Sequence, residues 1–458
     1  MKVIFRTVCF DGSLASVSEV FSRAGTASIL GGNGGLCAGN RFSVWACEPV
    51  DVFEVGSDEP DVFGKLKAAL DKYHVDTSSC GLPEGMFCCG WIGYFSYDLG
   101  RCIENVPVTA VDDLGLPLIR LCFYDAAVCY DHCENTWYAV AIDDGDGQEK
   151  IERLCGLLET AKQTTVEKVH RGDIRGVDVS GIRCNMSREY YMEALAKTHK
   201  YIYDGEVYQI NFSQRFDCDF NAEAIKLYHW QNEFNPSPYA AFISAGDHYI
   251  VSASPEMYIT IVGDKISTKP IKGTRRRYVG DDDGGINDAN FVELVESEKD
   301  RAELNMIIDL ERNDLTRVCR YGTIKVAEPR SIEAYPTVFH AVATVEGRLC
   351  GLYDYCDILR AVFPGGSITG APKIRSMEII DELEPTRRSV YTGSIGYIGV
   401  DGNACLNIAI RTVIIKDGKA YVQTGGGIVA DSIAEDEWEE TITKARALLA
   451  GINAVLDD

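Results

Sequence analysis

The sequence predicts an α+β fold of mainly antiparallel sheets flanked by helices. Three observations carry that expectation. Short β-type runs separated by turn residues fill residues 1 to 160. From residue 182 to 458, helical and strand periods mix without the regular alternation of a doubly wound parallel sheet. The 458 residues are 46% hydrophobic and 25% charged, an ordinary globular balance. We read 1–160 as a β-rich region and 182–458 as the region that carries the chemistry, with sheets shared between them.

The runs justify this in order. "RFSVWACEPVDVFEV", "LIRLCFYDAAVCY" and "TWYAVAID" read as strands, and the polar stretch from Thr160 to Gly181 as a connection. In "SREYYMEALAKTHKYIYDG", Tyr191, Leu195, Thr198 and Ile202 recur at helical spacing, with Ser187 as N-cap and Asp204-Gly205 as the stop. "EVYQINFSQRF" alternates. Tyr208, Ile210, Phe212 and Phe216 form a greasy face, and Val207, Gln209, Asn211, Ser213 and Arg215 a mostly polar one that meets water or lines a polar cavity.

The net charge of -24 excludes general nucleic-acid binding and attraction to anionic membranes. Seventeen cysteines, 12 of them in the first 184 residues, form no Cys-x-x-Cys pair. They read as small hydrophobes of a reduced, cytoplasmic protein. Cys129, His132 and Cys133 lack a second cluster that would complete a zinc site. No apolar run is long enough to cross a membrane, and the N-terminus lacks a signal-peptide pattern.

Four constellations bear on chemistry. "FVELVESEKDRAELNMIIDLERND" reads as one helix from about Phe291, with Glu293, Glu296, Asp300 and Glu303 on one face. That stripe is either a solvated acidic face or a site for a divalent cation such as Mg²⁺. In the C-terminal helix, Trp438, Ile442, Ala445, Leu449 and Ile452 make an apolar stripe, while Glu437, Glu440 and Lys444 share another face. Gly425-Gly426-Gly427 reads as a turn between strand and helix, able to bind an anion or simply tight. "FPGGSITGAPK" starts like a phosphate loop but has Ala371-Pro372 where Lys-Ser/Thr is needed, so Pro372 is read as the start of a helix toward Leu383.

The fourth constellation is "STKPIKGTRRR", six cations between Lys265 and Arg277 when Lys265 is included. Asp281 to Asp283 could balance them. Lys272, between Ile271 and Gly273, is the candidate for a desolvated nucleophilic amine. Glu256 in "SASPEMYIT" is a candidate proton donor or a turn residue. His340 lies in an apolar strand pattern, which alone reads as a satisfied core histidine.

Taken together, "DGEVYQINFSQRF", "SASPEMYI", "KPIKGTRRR", "FPGGSITGAPKIRSMEIIDELEPTRRSVYTGSIGYI", "LNIAIRT" and "GGGIVADSIAEDEWEETITKA" resemble the chorismate-utilising enzymes, over about residues 187 to 455. The resemblance implies the anthranilate synthase component I-like fold. Two positions sort that family. The Pro-Ile-x-Gly-Thr turn holds alanine in anthranilate synthases and lysine in aminodeoxychorismate synthases; here it is Lys272. The base lysine of the water-using members is replaced by Gln209. Both imply the aminodeoxychorismate synthase component I reaction, with anthranilate synthase component I as the alternative.

By the same resemblance, Lys272, Glu256 and His340 are catalytic. Gln209, Gly273, Thr274, Ser367, Tyr391, Arg411, Gly425, Gly426 and Lys444 surround the substrate. Glu303 and Glu440 hold Mg²⁺, with Asp300 and Glu437 in the same cluster. Arg41, Pro238, Tyr239 and Ala240 match positions of a tryptophan pocket in relatives, but Gly31-Gly32 stands where its serine is expected. Leu304-Asn305 reverses the usual polar-then-leucine order behind Glu303. No glutaminase segment is read in the chain, so ammonia is expected from a separate glutamine amidotransferase subunit or from solution. The intact set of Glu256, Lys272, Glu303 and Glu440 argues against a non-catalytic binding subunit.

Overall fold

In the computed structural model, residues 1–32, 40–77, 80–171, 181–278 and 285–457 are described. Their strands form two large sheets of twelve and ten strands, and every pairing between strands is antiparallel. Both sheets draw strands from before residue 160 and after residue 182. Ala27–Leu30 pairs with Tyr239–Ser244 in the larger sheet, and Gly90–Phe95 pairs with Ser394–Gly399 in the smaller.

The largest hydrophobic cluster lies between the sheets. It joins Val44, Ala127 and Ile250 of one to Trp91, Ile92 and Phe123 of the other. A second cluster covers the outer face of the larger sheet, where Leu14–Arg23, Gly147–Gln163, Ala224–Phe234 and the C-terminal helix Ala434–Asp457 pack. The strands expected in the first region form, as Phe42–Cys47, Asp51–Val55, Ile119–Tyr124, Ala126–Asp131 and Thr136–Asp143. The helix at Ser187 also forms, over Arg188–Tyr203. The Ser187 side chain accepts from the Tyr190 N–H, and Gly205 follows with φ +78.

Three expectations change, and one open alternative is settled. The strand Gln209–Asp219 is buried on both faces, with Gln209, Ser213, Gln214 and Arg215 all inside. Its polar face therefore lines the interior, and Tyr208 falls just outside the strand, 71% exposed. The acidic helix is two helices, Ile286–Glu296 and Glu298–Thr316, because Ser297 takes extended geometry between them and caps the second. Glu293 and Glu296 thus do not share a continuous helical face with Asp300 and Glu303. The three glycines are not a turn. They lie within the strand Lys419–Ile428, in register with Asn211, Phe212 and Ser213. In the C-terminal helix, Trp438 and Ile442 are only partly buried, and Thr441 and Leu448 lie deeper.

Candidate active site

The strand Gln209–Asp219 and the glycine strand paired beside it carry the candidate site. The helix Glu298–Thr316 and the C-terminal helix supply carboxylates, and the strand Ile271–Arg276 supplies Lys272. The glycines matter by what they leave out. A Cβ on Gly427 would lie 2.2 Å from Gln209 Nε2, and one on Gly426 would lie 3.0 Å from Glu437 Oε2 and 3.9 Å from Glu440 Oε1. Without side chains on the strand, both carboxylates and the Gln209 amide settle onto its backbone. Lys444 Nζ donates to the Gly425 carbonyl at 2.9 Å and pairs with Glu440 at 2.6 Å.

Three of the six cations of the basic stretch are ion-paired. Lys265 pairs with Glu346, Lys269 with Glu333, and Arg275 with Glu293 at 2.8 Å and Asp300 at 3.0 Å. The Arg275 bridge offsets the like charges of Glu293 and Asp300. The proposed balance by Asp281 to Asp283 lies outside the described residues. Lys272 differs: it has no carboxylate at ion-pair distance among the described residues, and its amine donates to the Ser367 carbonyl at 3.1 Å. Burial lowers its pKa. Glu303 and Glu256 oppose that shift, and Lys444 adds to it. These influences place Glu256, Glu303, Glu440 and Lys444 within electrostatic reach of Lys272.

Glu256 is 4% exposed and accepts the Ser367 hydroxyl at 2.6 Å. Burial raises its pKa, while the Ser367 hydrogen bond and the Lys272 charge pull the other way. A carboxyl held above its ordinary value can donate a proton near neutrality. Burial also raises Glu303 and Glu437, and Asp300 and Glu440 respectively add to those shifts. Burial works against the Glu440 charge as well, but Lys444, Lys299 and Lys272 outweigh it and hold its pKa low. Carboxylates raised by burial and by each other are a donor set that a divalent cation would satisfy. Among the described residues, no three His, Cys, Asp or Glu side chains already cage a point. Glu303 and Glu440, near enough for Glu440 to raise the Glu303 pKa, are oxygen donors of the kind Mg²⁺ takes beside waters and substrate oxygens.

His340 is not a satisfied core histidine. Its Nδ1 bonds the Thr274 hydroxyl at 2.8 Å, but its buried Nε2 has no partner. Burial, helped by Arg411, pushes its pKa down to about 3, so the ring is neutral. Arg411 sits at φ +50, a conformation costly for a side-chain-bearing residue, and no ion pair engages its guanidinium among the described residues. Tyr391 is buried beneath Arg388, and the Gln209 Oε1 is buried without a partner. Gly273, at φ +90, leaves its Cβ position to Asp300, 2.8 Å away. The Arg411 guanidinium suits an anionic group, and the unpartnered His340 Nε2 and Gln209 Oε1 call for polar hydrogen-bond partners.

The chorismate binding enzyme family matches residues 37–450. The chain belongs to that family. The aminodeoxychorismate synthase component 1 of Bacillus subtilis is 40% identical over 359 residues, 78% of this chain and 76% of the relative. The anthranilate synthase component 1 of Pseudomonas putida is also 40% identical, over 417 residues, 88% of this chain and 82% of the relative. The crystal structure of anthranilate synthase component I from Streptococcus pneumoniae superposes with a TM-score of 0.76 at 29% identity, covering 89% of this chain and 92% of that one.

Other expectations resolve locally in this chorismate-binding chain. Leu304 is buried in the main core and Asn305 is exposed, so the reversed order keeps apolar packing directly behind Glu303. Around Tyr239 and Ala240, with Gly31 and Asn40, the structure leaves a cavity of about 30 Å³, room for about one water rather than an indole. Arg41 is turned to Asp131, with Nη2 at 2.7 Å, and Pro238 is buried. The sequence contains one Gly-x-Cys-x-Gly run, Gly35 to Gly39, five residues that by themselves make no glutaminase segment. It lies outside the described residues, in the chain between the paired strands Ala27–Leu30 and Phe42–Cys47. Cys129 is buried and His132 bonds Ser43 at 2.8 Å. Among the described residues, no helix is long and apolar enough to cross a membrane.

Sequence reasoning missed the scaffold beneath the site. Arg388, Glu384 and Glu311 are buried and hold the backbone that positions the polar groups above. Glu311 was legible as an acid two turns beyond Glu303. Arg388 and Glu384, four apart, matched an ordinary surface pair.

Proposed function

We propose that this chain carries out the aminodeoxychorismate synthase component I reaction, making 4-amino-4-deoxychorismate from chorismate and ammonia for 4-aminobenzoate and folate synthesis. The observation that carries the reading is Lys272. Its pKa is lowered by burial, it is fixed by the Ser367 carbonyl, and it sits beside the raised acid Glu256. Relatives at 40% identity bear both names, so identity alone does not choose. An amine at this position favours the lysine mechanism over the anthranilate reaction.

Hydroxide is a poor leaving group and needs a proton and a push. Glu256 gives its proton to the 4-hydroxyl while the neutral Lys272 amine attacks ring carbon 2. The ring double bond shifts, the C4–O bond breaks and water leaves. Ammonia then attacks carbon 4, the double bond shifts back, and the bond from carbon 2 to Lys272 breaks. The Glu256 carboxylate takes the surplus proton. Two displacements through a covalent adduct return nitrogen to the carbon that lost oxygen.

Arg411 suits a substrate carboxylate through its forked donors, and His340 offers its unpartnered Nε2 to the ligand. Glu303 and Glu440 would hold Mg²⁺, with Asp300 and Glu437 beside them. When bound, that ion supplies charge neutralisation for the ring carboxylate. Ammonia would come from a separate glutamine amidotransferase subunit or from solution.

Product analysis tests the reading. The chain is incubated with chorismate, Mg²⁺ and ammonium, beside Lys272→Ala. Accumulation of 4-amino-4-deoxychorismate, lost in the variant, is the expected result. Direct formation of anthranilate by the wild-type chain would overturn it.

A further inference from the structure

Behind the candidate site lies a second buried acid with no part in the steps above. Glu311 stands eight residues beyond Glu303 on the same helix, about 12 Å along its axis. It is 4% exposed. Its Oε1 accepts the Gly366 N–H at 3.2 Å, and its Oε2 receives the Thr268 hydroxyl at 3.4 Å. The contact with Gly366 is close: a Cβ there would lie 2.5 Å from Leu310 Cδ2 and 3.1 Å from Glu311 Oε1. The turn Gly366–Ile368 is therefore seated directly on the helix.

That turn touches both reacting groups. The Ser367 hydroxyl donates to Glu256 at 2.6 Å, and the Ser367 carbonyl accepts the Lys272 amine at 3.1 Å. We propose that Glu311 is a positioning residue: by holding the Gly366 amide, its carboxyl sets the single serine that aligns the proton donor and the nucleophile. The proposal rests on the roles given to Glu256 and Lys272 above.

The surroundings explain why a carboxyl does this work. A buried amide needs an acceptor, and an unmade bond costs more than the made bond contributes. One turn on, Asp314 is tied to Lys373, which also donates to the Val362 carbonyl at 2.9 Å. Lys373 opens the helix Lys373–Leu383, which follows the turn. Lys373, held by Asp314, thus ties the two ends of the segment from Val362 to Lys373, and Glu311 holds Gly366 within it. Burial pushes Glu311 up to about 7. Asp314 and Glu256 add to that shift, and Lys373 and the Gly366 amide oppose it. The Tyr258 hydroxyl, also buried, has no partner.

The test compares Glu311→Gln, which keeps an oxygen acceptor, with Glu311→Leu, which does not. Two readouts are taken on the full chain. One is kcat and KM for chorismate with ammonium. The other, without substrate, is the rate at which a water-soluble acylating reagent labels Lys272, relative to Lys269, by peptide mass. In Glu311→Leu we expect kcat to fall roughly ten- to a hundredfold with KM within about twofold, and relative labelling of Lys272 to change by about threefold or more. Glu311→Gln should restore both. A folded Glu311→Leu with wild-type kcat and labelling overturns the proposal. So do Gln and Leu variants equally impaired in step with their melting temperatures, which is a merely structural role. Unchanged turnover in Lys272→Ala would instead sink the covalent mechanism. The labelling contrast between the two Glu311 variants reads the turn without reference to turnover, so the two failures are distinguishable.

Discussion

Glu384→Gln is expected to remove a large share of the stability of this fold. Glu384 and Arg388 are 2% and 1% exposed at their side chains and meet through two hydrogen bonds, at 2.7 and 2.9 Å. Arg388 also donates to the carbonyls of Ile368 at 2.9 Å and Asn211 at 2.6 Å. Glu384 receives the amide and hydroxyl of Ser213 at 2.9 and 2.7 Å. The pair therefore ties the active-site turn to the strand Gln209–Asp219. The isosteric amide leaves a buried guanidinium without its counter-charge, facing carbonyls, the Thr392 hydroxyl and the Tyr97 and Tyr391 rings. Breaking such a pair costs about 3–5 kcal/mol, against a total stability of about 5–15 kcal/mol. Replacing both partners, Glu384→Gln with Arg388→Met, should cost less than the single change, because no charge is stranded. Urea unfolding of the four species in a double-mutant cycle reads this directly. A Glu384→Gln midpoint within about 1 kcal/mol of wild type, or no coupling in the cycle, would refute the reasoning.

Two further outcomes follow from single residues. His340 titrates at about 3 in the fold against an ordinary 6.5. Between those values the unfolded chain binds a proton that the folded chain does not, so stability falls as pH falls through that window. The slope is at most about 1.4 kcal/mol per pH unit, and His340→Gln should remove it; equal slopes by denaturant titration at several pH values would contradict the burial argument. Gly426→Ala places a methyl 3.0 Å from Glu437 Oε2. The Mg²⁺ concentration for half-maximal rate should rise roughly tenfold with little change in melting temperature. Full activity of the wild-type chain after exhaustive chelation would remove the metal from the reading altogether.

Local chemistry was legible where it is written in neighbouring residues. The cap at Ser187, the stop at Gly205 and the strands Thr136–Asp143 and Ile119–Tyr124 follow from side-chain period and turn residues. The odd placement of Lys272 among cations was legible too. Boundaries decided by packing were not. Ser297 splits the acidic helix because its side chain caps the second segment and its backbone leaves helical geometry. The three glycines read equally as a turn, because glycine marks both a turn and a close approach. Only the neighbouring strand at Gly425 and Gly427, and the helix over Gly426, show that the close approach is the reason.

By itself, the sequence determined the α+β class, the polar and apolar faces of its longer elements, and the set of charged residues available for chemistry. Those properties depend on spacing along one chain. The tertiary structure alone decided which charges meet. It brought Glu303 and Glu440 from distant segments within electrostatic reach of Lys272, paired Arg275 with Asp300, and left the His340 Nε2 without a partner. It also turned the polar face of Gln209–Asp219 inward. Burial and mutual distance set a pKa, and neither exists until the sheets have packed.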